Sequence, residues 1–193
     1  VIDKGACEAG SHRLFFALWP EQETLRRLQP VVQRLQRASP AHWLPAERLH
    51  LTLAFLGAVE AERLPAVLRC GQAVRSDAGE LLLDRVEYWR GPGVICLTSS
   101  SEHSAVDELA ADLAKRLRES AFTLEKRPFR AHLTLARKCT HPPPEAMLSE
   151  PIRWPPCEFS LVESVATREG SYYRILASWP LPKQAMPDDA PMK

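Results

Sequence analysis

The sequence predicts an α+β fold of two pseudo-symmetric lobes, each a small, mainly antiparallel sheet backed by helices, with a site in the cleft between them. Three observations carry this expectation. One heptad occurs twice, as Arg48-Leu49-His50-Leu51-Thr52-Leu53-Ala54 and as Arg130-Ala131-His132-Leu133-Thr134-Leu135-Ala136. The order strand, helix, motif strand recurs around it, an internal duplication offset by 82 positions from residue 50 to residue 132. Apolar spacing also switches repeatedly between the strand and helix periods, as in layered α+β chains. One bilobal domain is expected over residues 13–180, divided into about 13–92 and 93–180, with 1–12 and 181–193 as flexible extensions.

In chain order, residues 13–19 read as a buried strand ended by Pro20. Over 21–38, Leu25, Leu28, Val31, Val32 and Leu35 recur at helical spacing, with Pro30 implying a kink or break. The first heptad strand follows and Gly57 closes it. Residues 60–76 predict a second helix, 81–89 a strand before the Gly91-Pro92-Gly93 turn, and 94–98 the next strand. Residues 99–101 suit a helix cap, and 105–119 form the clearest helix, with Val106, Leu109, Leu113 and Leu117 in one stripe. The second heptad strand spans 129–138. A proline-rich loop is expected from His141 past Pro156, then strands at 158–165 and 173–179, then a disordered tail beyond Pro180.

Composition narrows the function classes. Among 193 residues, 45% are hydrophobic and 25% charged, as in ordinary globular proteins. Lys plus Arg number 25 against 24 acidic residues, so no whole-molecule field draws the chain onto long nucleic acid. A nucleic-acid partner would be touched locally. Five cysteines without a C-x-x-C pair argue against a disulfide framework or zinc ribbon and fit the reduced thiols of a cytoplasm. No apolar run approaches the roughly 20 residues of a membrane span, and no signal-peptide core is visible. A monomer without cofactor is expected.

At a strand's period of two, Arg, His, Thr and Ala fall on one face of each heptad. Leu49, Leu51, Leu53 and Phe55 line the other face of the first copy; Phe129, Ala131, Leu133 and Leu135 line that of the second. A lone copy would read as a strand showing polar residues to water; two matching copies read as two halves of one site. A metal would want more ligands, because His12, His42, His103 and His141 lack ligand spacing and no acid shares the motif face. Nucleophilic catalysis lacks an oriented base. General acid and base catalysis by a histidine pair remains, since imidazole titrates near pH 6.5 and one ring can be neutral while the other is protonated. Phosphodiester hydrolysis needs such a pair on opposite sides of phosphorus. The Thr52 and Thr134 hydroxyls would hold the non-bridging oxygens, and a guanidinium would offset their charge.

These residues carry a family resemblance. His50-Leu51-Thr52-Leu53 and His132-Leu133-Thr134-Leu135 resemble the paired H-x-T-x motifs of the two-histidine phosphoesterase superfamily. With Arg13 to Ala17, Leu49 to Gly57 and Arg127 to Arg137, the chain is similar to the bacterial RNA 2′,3′-cyclic phosphodiesterases, also called 2′-5′ RNA ligases. The resemblance implies metal-independent opening of a 2′,3′-cyclic phosphate at RNA ends to a 2′-phosphate, with reversible 2′-5′ ligation as a related reaction. It implies His50 as proton donor, His132 as proton acceptor, and Arg137 as a phosphate-binding residue beside Thr52 and Thr134. Arg48 has no family counterpart, so its parallel with Arg130 reads as accidental. A sister activity on linear 2′-5′ oligonucleotides or small cyclic nucleotide phosphates stays open, as does a non-catalytic RNA-end binding module. Trp43 could stack on a base, Phe55 reads as core, Arg26 and Arg27 as a solvated helix face, and Cys139 as inert.

Overall fold

Leucines at alternate positions of both heptads decide how the chain folds, because each heptad can bury only one side. In the computed structural model, which describes residues 10–76, 79–101, 104–167 and 170–182, they do so against a single core. The strands are β1 (Ser11–Leu18), β2 (His42–Trp43), β3 (Leu51–Glu60), β4 (Leu81–Trp89), β5 (Val94–Thr98), β6 (His132–Arg137), β7 (Ala146–Trp154), β8 (Glu158–Thr167) and β9 (Gly170–Pro180). The helices are α1 (Gln22–Ala38), α2 (Leu64–Gln72) and α3 (Ala105–Glu119). The architecture is α+β. One antiparallel sheet has the order β3-β1-β8-β9 and the other β2-β6-β5-β4-β7.

Both sheets draw strands from either side of residue 92. Motif strands β3 and β6 touch where the sheets meet. Leu14, Phe16 and Leu18 of β1, Leu51 and Leu53 of β3, and Leu133 and Leu135 of β6 enter one cluster with Leu109 and Leu113 of α3. Helix α3 packs on β3, α1 on β7, and α2 on α3 and β9. Ser104 and Asp107 cap α3 reciprocally, satisfying two backbone donors at its start.

Several elements depart from the sequence reading. Helix α1 runs through Pro30 without a break. Pro30 and Arg26 are both exposed, so water can serve the carbonyl that the missing N–H leaves free. The second helix is shorter than 60–76: a 3-10 turn at Ala61–Arg63 precedes α2, whose first turn holds Pro65. The loop expected after His141 contains a strand, β7, paired to β4. It is an edge strand, the position that tolerates the missing N–H of Pro151. Ser11 and His12, expected in an extension, begin β1, and His12 Nδ1 lies 2.7 Å from a Glu163 carboxylate oxygen. The expected disordered tail beyond residue 182 and the extension before residue 10 lie outside the described residues.

Candidate active site

Each motif strand keeps its leucines in the core and leaves its histidine and threonine half-buried on the front. Both strands then carry a one-residue bulge at the same motif position. Opposite β1, Thr52 pairs with Ala17 and Ala54 with Phe16, so Leu53 is the extra residue. Opposite β5, Thr134 pairs with Cys96 and Ala136 with Ile95, so Leu135 is extra. A slip of one residue exchanges faces. Ala54 and Ala136, expected on the front, are therefore buried. Phe55, expected in the core, emerges 37% exposed beneath the Arg13 guanidinium. The same change of phase turns the exposed Arg137 toward the front of β6. Phe129 is only partly buried, and β6 begins at His132 rather than residue 129.

The two imidazoles are held alike. His50 Nδ1 donates to the Arg48 carbonyl at 2.8 Å, and His132 Nδ1 donates to the Arg130 carbonyl at 2.8 Å. A carbonyl can only accept, so Nδ1 carries the proton and Nε2 is the free base of each neutral ring. Each ring also packs on an aromatic side chain that the motif arginine covers. His50 lies edge-on to Tyr173 at 5.2 Å between centroids, and Arg48 sits 5.2 Å from the Tyr173 ring. His132 lies 4.5 Å from Trp89, and Arg130 sits 5.6 Å from the Trp89 ring. Phe15 and Trp19, each 5.2 Å away, close further sides of His50. The parallel between Arg48 and Arg130 is thus structural rather than accidental, although Arg48 stands in a 3-10 turn, Ala46–Arg48, and not on the strand.

Electrostatics follow from this packing. Burial, then the charges of Arg137, the other histidine and Arg48, lowers the His50 pKa to about 4 against the lift from its carbonyl bond. Burial, with Arg130 and Arg137, lowers that of His132 as well. Arg137 therefore acts on both rings, and both are neutral near pH 7, where the sequence suggested one neutral and one charged. Beneath Arg130 lies Glu87, 7% exposed. Its burial would raise its pKa, but the Trp89 indole N–H at 2.9 Å and the Arg130 guanidinium at 2.6 Å hold it below the usual carboxylate range. Burial and the neighbouring Glu87 push the Cys96 thiol up to about 12. No group of three or more His, Cys, Asp or Glu able to hold a metal occurs among the described residues.

The structure brings together His50, His132 and Arg137, and sets Thr52 and Thr134 on the same strand fronts. The supporting Tyr173, Trp89 and Glu87 are not legible in the motifs themselves; the arginine two residues before each histidine was the one trace of them. Trp43 is half-buried against the core, with its indole N–H donating to the Ser39 carbonyl at 3.2 Å. Cys139 is buried, while Arg26 and Arg27 pair with Glu23 on an exposed face.

Residues 18–96 match the model of the LigT-like phosphoesterases. The chain is 33% identical over 175 residues to the RNA 2′,3′-cyclic phosphodiesterase of Escherichia coli K12, covering 88% of this chain and 96% of that protein. Its fold superposes on E. coli LigT in apo form with a TM-score of 0.77 at 28% identity, covering 91% and 100% of the two chains. On the E. coli LigT structure complexed with 3′-AMP the TM-score is 0.74 at 26% identity, covering 90% and 99%. With a relative this close aligned over nearly its whole length, and the same fold beneath the paired histidines, the chain belongs to the LigT-like phosphoesterase family.

Proposed function

We propose that the protein hydrolyses the 2′,3′-cyclic phosphate at RNA ends to a 2′-phosphate, using His50 and His132 as an acid–base pair. The observation that carries this is the matched pair of imidazoles, each presenting a free Nε2, with Arg137 acting on both. His132, neutral, takes a proton from water as its oxygen attacks phosphorus. His50, protonated, gives its proton to the 3′ oxygen as the P–O3′ bond breaks. Arg137, Thr52 and Thr134 hold the non-bridging oxygens, where charge builds in the transition state.

A His50 that is neutral in the free protein must gain its proton when substrate binds. An anionic phosphate beside it supplies the opposite charge that raises an imidazole pKa. With a 5′ hydroxyl attacking phosphorus in place of water, the same opening of the cyclic phosphate would join 2′-5′ ends, and its reverse would cleave them. The relative from E. coli is named for the same substrate, and another structure of that organism's LigT holds 3′-AMP. A monomer in a reducing cytoplasm accords with this reading. Cys70, Cys96 and Cys139 are buried thiols, and no described helix is long and apolar enough to cross a membrane.

The test is incubation with a dinucleotide ending in a 2′,3′-cyclic phosphate, in excess EDTA, with the product assigned by phosphorus NMR. A 2′-phosphomonoester formed at the full rate is expected. A 3′-phosphate product, or activity that needs an added divalent ion, would overturn the mechanism.

A further inference from the structure

Beside His132 the five-stranded sheet carries a polar depression that the acid–base pair does not use. Directly opposite antiparallel partners share a face, so Arg85, Thr98 and His132 form one row across β4, β5 and β6. Arg85 therefore stands two strand spacings, roughly 10 Å, from His132. The depression, about 290 Å³, is walled by Arg85, Arg130, Ser99, Ser100, Ser101 and Asp107, and it reaches Ala131, the residue before His132.

Its wall is fixed in place. Asp84, 4% exposed, accepts from the Ser100 backbone N–H at 2.9 Å and from the Ser100 hydroxyl, while Ser99 Oγ accepts from the Ser101 N–H at 3.1 Å. Asp107 is the acid among these residues, and its carboxylate is engaged by the Ser104 N–H at 2.8 Å and the Ser104 hydroxyl in the α3 cap. Arg130 bonds Glu87 through one nitrogen, and Arg85 is exposed with no ion-pair partner among the described residues. Two guanidinium groups over a braced serine loop form a polar receptor for an anion with several acceptor oxygens.

We infer that this depression is a second phosphate site, one that takes the phosphodiester linking the terminal nucleotide to the rest of the RNA strand. The inference rests on the proposed hydrolysis of RNA ends. A cyclic phosphate held by His50, His132 and Arg137 has one chain continuing from its nucleotide, and this depression is an anion receptor that adjoins a motif strand. The occupant is the phosphate 5′ to the reacting nucleotide, and the consequence is a preference for oligonucleotides over single nucleotides.

The test compares kcat/KM for a nucleoside 2′,3′-cyclic phosphate and for a dinucleotide ending in the same cyclic phosphate. The proteins are wild type, Arg85→Gln, Arg85→Glu and Arg13→Gln, the last on the other sheet. Wild type should favour the dinucleotide. Arg85→Gln should cut that preference by about tenfold through KM, the worth of one charge-assisted hydrogen bond, and Arg85→Glu should cut it further. The salt dependence of the dinucleotide reaction should also become shallower by about one phosphate contact. An unchanged ratio in both Arg85 variants, or an equal fall in Arg13→Gln, would overturn the phosphate site and leave the hydrolytic function standing. A wild type inert on both substrates would overturn the function, and this site with it.

Discussion

His50 shows how one half-buried side chain, shut from water by its neighbours, ties stability to function. Three aromatic rings surround it, and the removal of water drives its pKa from 6.5 to about 4. The unfolded chain binds a proton at this residue near pH 6.5, whereas the folded chain waits until about pH 4. Between those values the unfolded state holds more protons, so stability rises with pH there. The contribution is complete above pH 6.5 and is lost as pH falls toward 4, on the order of 3 kcal/mol in all. His50→Gln, which cannot titrate, should therefore lose on the order of 2 kcal/mol less than wild type between pH 7 and pH 4.5 in urea unfolding. Equal losses would mean that this ring is not buried in its neutral form. His132 is shifted in the same direction and should add to the acid sensitivity that remains.

At the scale of elements, the paired bulges explain what the heptads alone do not. A strict period of two would point Arg137 backwards, away from His132 and Thr134. The extra residue at Leu135 reverses that phase, and Leu53 does the same for Phe55. The motif strands, α1 and α3 were legible because each repeats an apolar pattern over many residues. The bulges were not, because they are set by pairing with β1 and β5 rather than by anything within the heptads. Strand β7 was hidden by Pro151, which reads as a breaker until the strand is known to lie at an edge. Trp89 and Tyr173 were missed as partners of the histidines because they come from other strands, far away in the sequence.

A packing test belongs to the same scale. Gly71 of α2 faces Trp179 of β9 so closely that a methyl group there would lie 2.5 Å from the indole ring. Trp179 cannot easily yield, since it stacks on Phe159 at 5.1 Å and donates to Gln72 Oε1 at 3.0 Å. Alanine would gain roughly 1 kcal/mol in helix propensity, yet overpacking costs about 1–3 kcal/mol. Gly71→Ala should thus lower the urea midpoint. A raised midpoint would show that β9 can move away from α2 at little cost.

For the whole molecule, the two sheets act as mirrored holders for one pair of rings. Each sheet supplies a motif strand and an aromatic ring covered by the motif arginine, and that arginine, just before the strand, supplies the carbonyl that fixes the tautomer. That near-equivalence leaves the histidines alike in orientation, so the roles proposed for them must be separated by chemistry. A substrate with sulfur in place of the 3′ bridging oxygen does this, because a thiolate departs without a proton while an alkoxide does not. The measurement is the cleavage rate of oxygen and sulfur substrates by His50→Ala and His132→Ala. With His50 as acid and His132 as base, His50→Ala should recover most of its lost rate on the sulfur substrate, and His132→Ala should stay inactive on both. Rescue of His132→Ala instead would exchange the two roles, and rescue of neither would contradict an acid–base pair altogether.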